Sequence, residues 1–147
     1  MITIKKFKNT LLDEIRQLEI TEYQKDYVNV DFDEIIKMVQ HHPNMNVFGI
    51  YNDNIIVGFA CCLLDDDGDM NLLKFMIDYR YQGNGYAKVA LGLILDLMKP
   101  FAAKEELWLS VHPQNVVAIK LYKEIGFLQQ KTQFDADDEI FFKYIFA

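Results

Sequence analysis

One passage constrains the fold of this chain more than any other: Phe75-Met76-Ile77-Asp78-Tyr79-Arg80-Tyr81-Gln82-Gly83-Asn84-Gly85-Tyr86-Ala87-Lys88. An apolar run of strand character passes into a short loop bearing Gly83 and Gly85. The loop opens onto Ala87, Ala90, Leu91, Ile94, Leu97 and Met98 at helical spacing. The chain must therefore pair this strand into a sheet and bury the helix stripe against it. Both glycines permit positive φ and close approach to the backbone. The amides of the helix's first turn lack intrahelical partners and sit at the positive end of the helix dipole, which suits a phosphate.

Single residues exclude two familiar phosphate motifs. A P-loop ends Gly-Lys-Ser/Thr, whereas Tyr86 follows Gly85. The dinucleotide fingerprint places a third glycine three residues past the second, where Lys88 stands. On the residues alone, an ordinary glycine-rich turn and a cradle for another phosphate ligand both remain.

The rest of the chain supplies the sheet. Residues 2–7 alternate as a strand, and Thr10, with Asp13 as capping partner, opens a helix striped by Leu11, Leu12, Ile15 and Leu18. Asp31 and Glu34 open a second helix that His42-Pro43-Asn44 stops. Strands follow at 46–51 and 55–64 across the turn Asn52-Asp53-Asn54, then near 71–78. The helix over 85–98 ends at Pro100, Leu107 to Val111 is a strand, and a helix runs from Asn115 to Ile125 with Gly126 as its stop. Strands near 127–134 and 139–146 close the chain. The order β-α-α-β-β-β-α-β-α-β-β, without repeat or linker, predicts a single α+β domain over residues 1–147 with a mixed sheet.

Composition bounds the partners. A net charge of −7 argues against nucleic acid, which needs clustered Lys and Arg, and suits a cationic substrate. No apolar run approaches the ~18 residues that span a bilayer. Met1 to Lys6 lacks a signal-peptide layout, so no membrane association and a cytoplasmic location are expected. Cys61 and Cys62 are adjacent in a strand, point to opposite faces and are expected to be reduced packing residues.

Gln82-Gly83-Asn84-Gly85-Tyr86-Ala87 resembles the Gln/Arg-x-x-Gly-x-Gly/Ala signature of the GNAT superfamily of N-acetyltransferases. Val111 to Phe127 resembles its second signature, with Asn-x-x-Ala-x-x-Leu-Tyr-x-x-x-Gly-Phe matched throughout by Asn115, Ala118, Leu121, Tyr122, Gly126 and Phe127. The element order is similar too. The resemblance implies an acyl-CoA N-acyltransferase fold and acetyl-coenzyme A as co-substrate, with no metal. It implies that the pyrophosphate sits on the loop of Gln82, Gly83, Asn84, Gly85, Tyr86 and Ala87, beside Lys88. The pantetheine arm would pair like an added strand with the backbone of Phe75 and Ile77, which requires the sheet to splay there. Asn115 would contact the arm near the thioester, and Tyr122 would protonate the departing thiolate, as a phenol can at neutral pH. Some relatives use a glutamate base before the loop, yet Asn71 to Ile77 holds no carboxylate. A water chain ending on an acidic residue elsewhere is the expected substitute.

For the acceptor, Glu22 to Val28, Phe75 to Asp78 and Tyr81 to Gly83 resemble the bacterial spermine/spermidine acetyltransferase subgroup. A polyamine is thus the expected acceptor, with Glu22 and Asp26 as amine contacts. Acidic turns at Asp65, Asp66, Asp67, Asp69, Asp135, Asp137, Asp138 and Glu139 would attract a polycation. Protein lysines or N-termini as acceptors, and a non-catalytic acyl-CoA-binding module, are the alternatives. Asp65 to Asp69 lacks a calcium loop's spacing and closing Glu and is read as a turn; His41-His42 has no spaced third ligand. The apolar run Ile140 to Phe146 would serve equally as a core strand or as one shared between copies in a homodimer.

Overall fold

The computed structural model describes residues 1–6, 13–18, 40–42 and 44–146, with Glu34 and Lys37. Its frame is a seven-stranded sheet in the order β1-β2-β3-β4-β5-β7-β6. The strands are β1 (Ile2–Lys6), β2 (Met45–Asn52), β3 (Ile55–Leu64), β4 (Met70–Ile77), β5 (Glu106–Val111), β6 (Leu128–Gln130) and β7 (Ile140–Ile145). Two helices follow the sequence expectation: α1 (Tyr86–Met98) and α2 (Val116–Ile125). Pro100 does not stop the chain at once, because Lys99–Phe101 continues as a 3-10 turn with the proline at its start.

The apolar periodicities explain the layers. Leu91, Ile94, Leu95 and Met98 of α1 pack with Phe48, Cys62, Leu72, Leu107, Leu109 and Phe142 of the sheet, and Tyr122 of α2 joins the same cluster. On the other side Ile15 and Leu18 meet Val47, Phe59, Cys61 and Met76. Cys61 and Cys62 thus serve opposite faces, both buried and unbridged, and burial pushes both thiols up to about 12. Residues 13–15 are helical, and Tyr51 hydrogen-bonds Glu14 through its hydroxyl. Thr10, the capping residue, lies outside the described residues, as does most of the second expected helix, of which Glu34, Lys37, Gln40 and His41 are helical.

Two features open the sheet. Cys61 faces Lys74 while Cys62 faces Leu72, so Leu73 is an extra residue that bulges β4. Past this point β4 and β5 diverge, their only pairing being Asn71 with Trp108 among the described residues. The strand expected near 127–134 is shorter, just Leu128–Gln130. Thr132 donates from its backbone N and Oγ1 to Asp135 Oδ1, at 3.1 and 2.8 Å, and this local turn outcompetes the ladder. β7 lies between β5 and β6 of the same chain, which makes the apolar run a core strand.

Candidate active site

The divergence of β4 from β5 leaves a cleft with two lobes. One, of about 320 Å³, is lined by Phe75, Met76 and Ile77 of β4, by Gln82, Gly83, Gly85, Tyr86, Ala87 and Lys88 of the loop and first turn of α1, and by Asn115, Leu121 and Tyr122. The other, of about 390 Å³, lies toward the C-terminal end of β5 and takes in Lys74, Ser110, His112, Asp138 and Glu139. Phe75, Asn115, Ala118 and Tyr122 border both.

The main chain of β4 is turned to suit an added strand. Asp78 N donates to Val57 O at 2.8 Å, so ladder alternation directs the N–H and C=O of Ile77 and Phe75 away from β3 and toward the cleft. Gly58 makes that close pairing attainable, because a Cβ there would stand 2.2 Å from Met76 O. Ile77 O already accepts from Gln82 Nε2 at 2.8 Å, which clamps the loop's first residue to the strand end.

The loop is shaped as an anion cradle. Gly83 and Gly85 adopt φ of 81° and 77°, and nothing lies within 4 Å of a Cβ built on either. Gly85 caps α1 without a side-chain hydrogen bond, and the first turn holds no acidic residue. Its amides are thus left for an outside acceptor, and the dipole is not already neutralised. Lys88 adds an exposed cation in that turn. Asn84 does not line the lobe among the described residues; its Nδ2 donates to Tyr81 O at 3.0 Å and braces the loop.

Two residues that sequence reasoning passed over hold this loop in place. Asp78 is fully buried, accepts from Arg80 Nε at 2.9 Å and Arg80 Nη2 at 2.7 Å, and caps the 3-10 turn Tyr79–Tyr81 through Arg80 N. Arg80 Nη2 also reaches Gln17 O at 3.2 Å, which ties the loop to the segment 13–18. The signal was a cap-forming Asp directly after an apolar strand, two residues before an Arg.

At the junction of the lobes stands Tyr122, with 8% of its surface exposed. Burial pushes its phenol up to about 12, and the hydroxyl makes no hydrogen bond to a described residue. Phe127, at 5.5 Å between ring centroids, fixes the ring. Asn115 caps α2, its Oδ1 accepting from Ala118 N at 3.4 Å, and borders both lobes. Glu22 and Asp26 lie outside the described residues. The acidic turn does behave as a turn: Asp65 Oδ1 accepts from the amides of Asp67 and Asp69, and Asp69 pairs with Lys104 at 2.8 Å.

Residues 12–127 match the family model described as the acetyltransferase (GNAT) family. The chain belongs to that family. A spermine/spermidine N(1)-acetyltransferase of Bacillus subtilis is 35% identical over 86 residues, 54% of this chain and 57% of the relative. A ribosomal protein bS18-alanine N-acetyltransferase of Haemophilus ducreyi is 35% identical over 77 residues, 52% of this chain and 51% of the relative. The chain thus matches little more than half the length of these curated relatives. Among solved structures, the spermidine N-acetyltransferase of Vibrio cholerae in complex with CoA and spermine superposes with a TM-score of 0.77 at 18% identity, over 98% of this chain and 95% of that one. At that identity the likeness is one of fold, and it matches the mixed α+β architecture described above. Among the described residues no helix is long and apolar enough to cross a membrane.

Proposed function

We propose that this GNAT chain transfers an acetyl group from acetyl-coenzyme A to a primary amine, with a polyamine such as spermine or spermidine as acceptor. The observation that carries the reading is the buried Tyr122 ring, whose hydroxyl, unpartnered among the described residues, is open to the cleft where the two lobes meet. The loop from Gln82 to Ala87, with Lys88, would take the coenzyme's phosphates, and the cleft-facing main chain of Phe75 and Ile77 its pantetheine arm. Asn115 borders the position where the thioester would lie.

Transfer by direct attack needs one bond made and one broken. The neutral amine nitrogen bonds to the thioester carbonyl carbon, main-chain amides stabilise the oxyanion, and the carbon–sulfur bond breaks. Tyr122 gives its proton to the leaving thiolate, and the proton lost by the amine returns to the phenolate through solvent. The polyamine acceptor is supported by the Bacillus subtilis relative. The Haemophilus ducreyi relative keeps a second reading open, a protein N-terminal amine.

The test is thiol release from acetyl-coenzyme A with spermine, spermidine, putrescine, a lysine peptide and an alanine-ended peptide. Saturable turnover on the polyamines supports the reading, and turnover confined to the peptides moves the acceptor to protein. Coenzyme binding without turnover on any amine would leave an acyl-CoA-binding module.

A further inference from the structure

The chain's acidic turns are not equivalent. Asp65 and Asp69 are engaged by turn amides and Lys104, and Asp135 by Thr132. Asp138 and Glu139 instead line the larger lobe of the cleft. The pairing of Val111 with Ile140 puts them there, since one step further along this antiparallel register Glu139 comes opposite His112 at the end of β5. The same lobe is bordered by Tyr122, a side chain more than nine-tenths buried whose hydroxyl, unpartnered among the described residues, is left open to the cleft. Among the described residues Lys74 lines the lobe on the β4 side. Acidic residues on the β7 side against a lysine on the β4 side make a polarised hollow.

The geometry points to Asp138 and Glu139 as the anchor for the distal ammonium of a diamine or polyamine whose other, neutral amine reaches the junction at Tyr122. This inference rests on the acetyl-transfer reading and adds what that reading leaves open, which residues select a second positive charge. The glycine loop and Lys88 suit an anion and occupy the other lobe, so the two ligands would enter from opposite sides without competing for charge. Lys74 would repel a cation on its own wall, and the chain of the acceptor would be driven along β7 instead.

The experiment compares a diamine with a monoamine of equal length, in wild type and in the double variant Asp138→Asn with Glu139→Gln. Both positions are at least partly exposed, and the changes are nearly isosteric, so folding is retained and checked by the melting curve. The expected result is a rise in KM for the diamine of about tenfold, from two partly screened ion pairs. KM for the monoamine and for acetyl-coenzyme A should stay within about twofold on the same scale. An equal change for both amines, or none for either, overturns the anchor while leaving acetyl transfer intact. Failure of the wild type on every amine overturns the transfer reading itself, and is seen without any variant.

Discussion

Tyr122 and Asp78 show how burial is used in two opposite ways. Desolvation raises the Tyr122 phenol to about 12, which keeps it protonated near neutral pH, as the proposed role of proton donor requires. A free primary amine titrates near ~10.4, so the rate should climb with pH as the acceptor loses its proton. No falling limb belonging to Tyr122 should appear below about pH 11. Tyr122→Phe should lower kcat by about a hundredfold while keeping the rising limb. A falling limb near pH 8 to 9 that vanished in the variant would show a phenol titrating where burial forbids it. Asp78 is instead a fully buried carboxylate paired with Arg80, whose side chain is half-exposed. Arg80→Ala removes two charge-assisted hydrogen bonds from that carboxylate and should cost about 2 kcal/mol, discounted from the fully buried case. Asp78→Asn retains an acceptor for Arg80 N and should cost about 1 kcal/mol. Denaturant unfolding gives the order, and a reversed order would mean that Arg80 rather than Asp78 is the buried partner to protect.

At the scale of elements, glycines do two different jobs around β4. Gly58 is a matter of space: Ala there would press a Cβ against Met76 O at 2.2 Å and force β3 off β4. Gly58→Ala should therefore lose about 3 kcal/mol and disturb the Phe75–Ile77 edge. Gly85 is a matter of dihedral, since its φ of 77° costs an L-residue about 1 kcal/mol and no atom stands in the way. Gly85→Ala should melt only slightly early yet bind coenzyme A poorly, because the new methyl occupies the open cradle. Equal losses of stability in the two variants would contradict this division. The strand and helix order was readable because periodicity and glycine signals are local, as in the stripe Ala90, Leu91, Ile94 and Met98. The bulge at Leu73 was not, since nothing in Asn71-Leu72-Leu73-Lys74 distinguishes the extra residue. β6 was overread for the opposite reason: Thr132-Gln133-Phe134 looks like strand, and the Thr132–Asp135 turn that ends it is visible only once both residues are placed.

Across the whole molecule, the sheet behaves as two halves, β1 to β4 and β5 to β7, joined among the described residues by the pairing of Asn71 with Trp108 over a shared core. The cleft residues come from both halves, Phe75 and Ile77 from one and Asn115 and Tyr122 from the chain around the other. The motifs announced those residues but not their meeting, because it depends on a separation between strands that no local pattern encodes. Glu139 was likewise only one acid among several until the β5–β7 register set it at the cleft. A ligand that fills the cleft should therefore join the halves. Coenzyme A at a hundred times its Kd should add about 2.7 kcal/mol to stability, which for a chain of this size is a rise in Tm of about 8 °C. Amide exchange by NMR gives the sharper readout. The amides of Met76 and Asp78 lie on the β3 side of the strand, whereas those of Phe75 and Ile77 face the cleft. Coenzyme A should then slow exchange at Phe75 and Ile77 and leave Met76 and Asp78 nearly unchanged, a period-two pattern that general stiffening would not produce. Uniform protection along β4 would mean that the ligand tightens the fold without pairing to the strand.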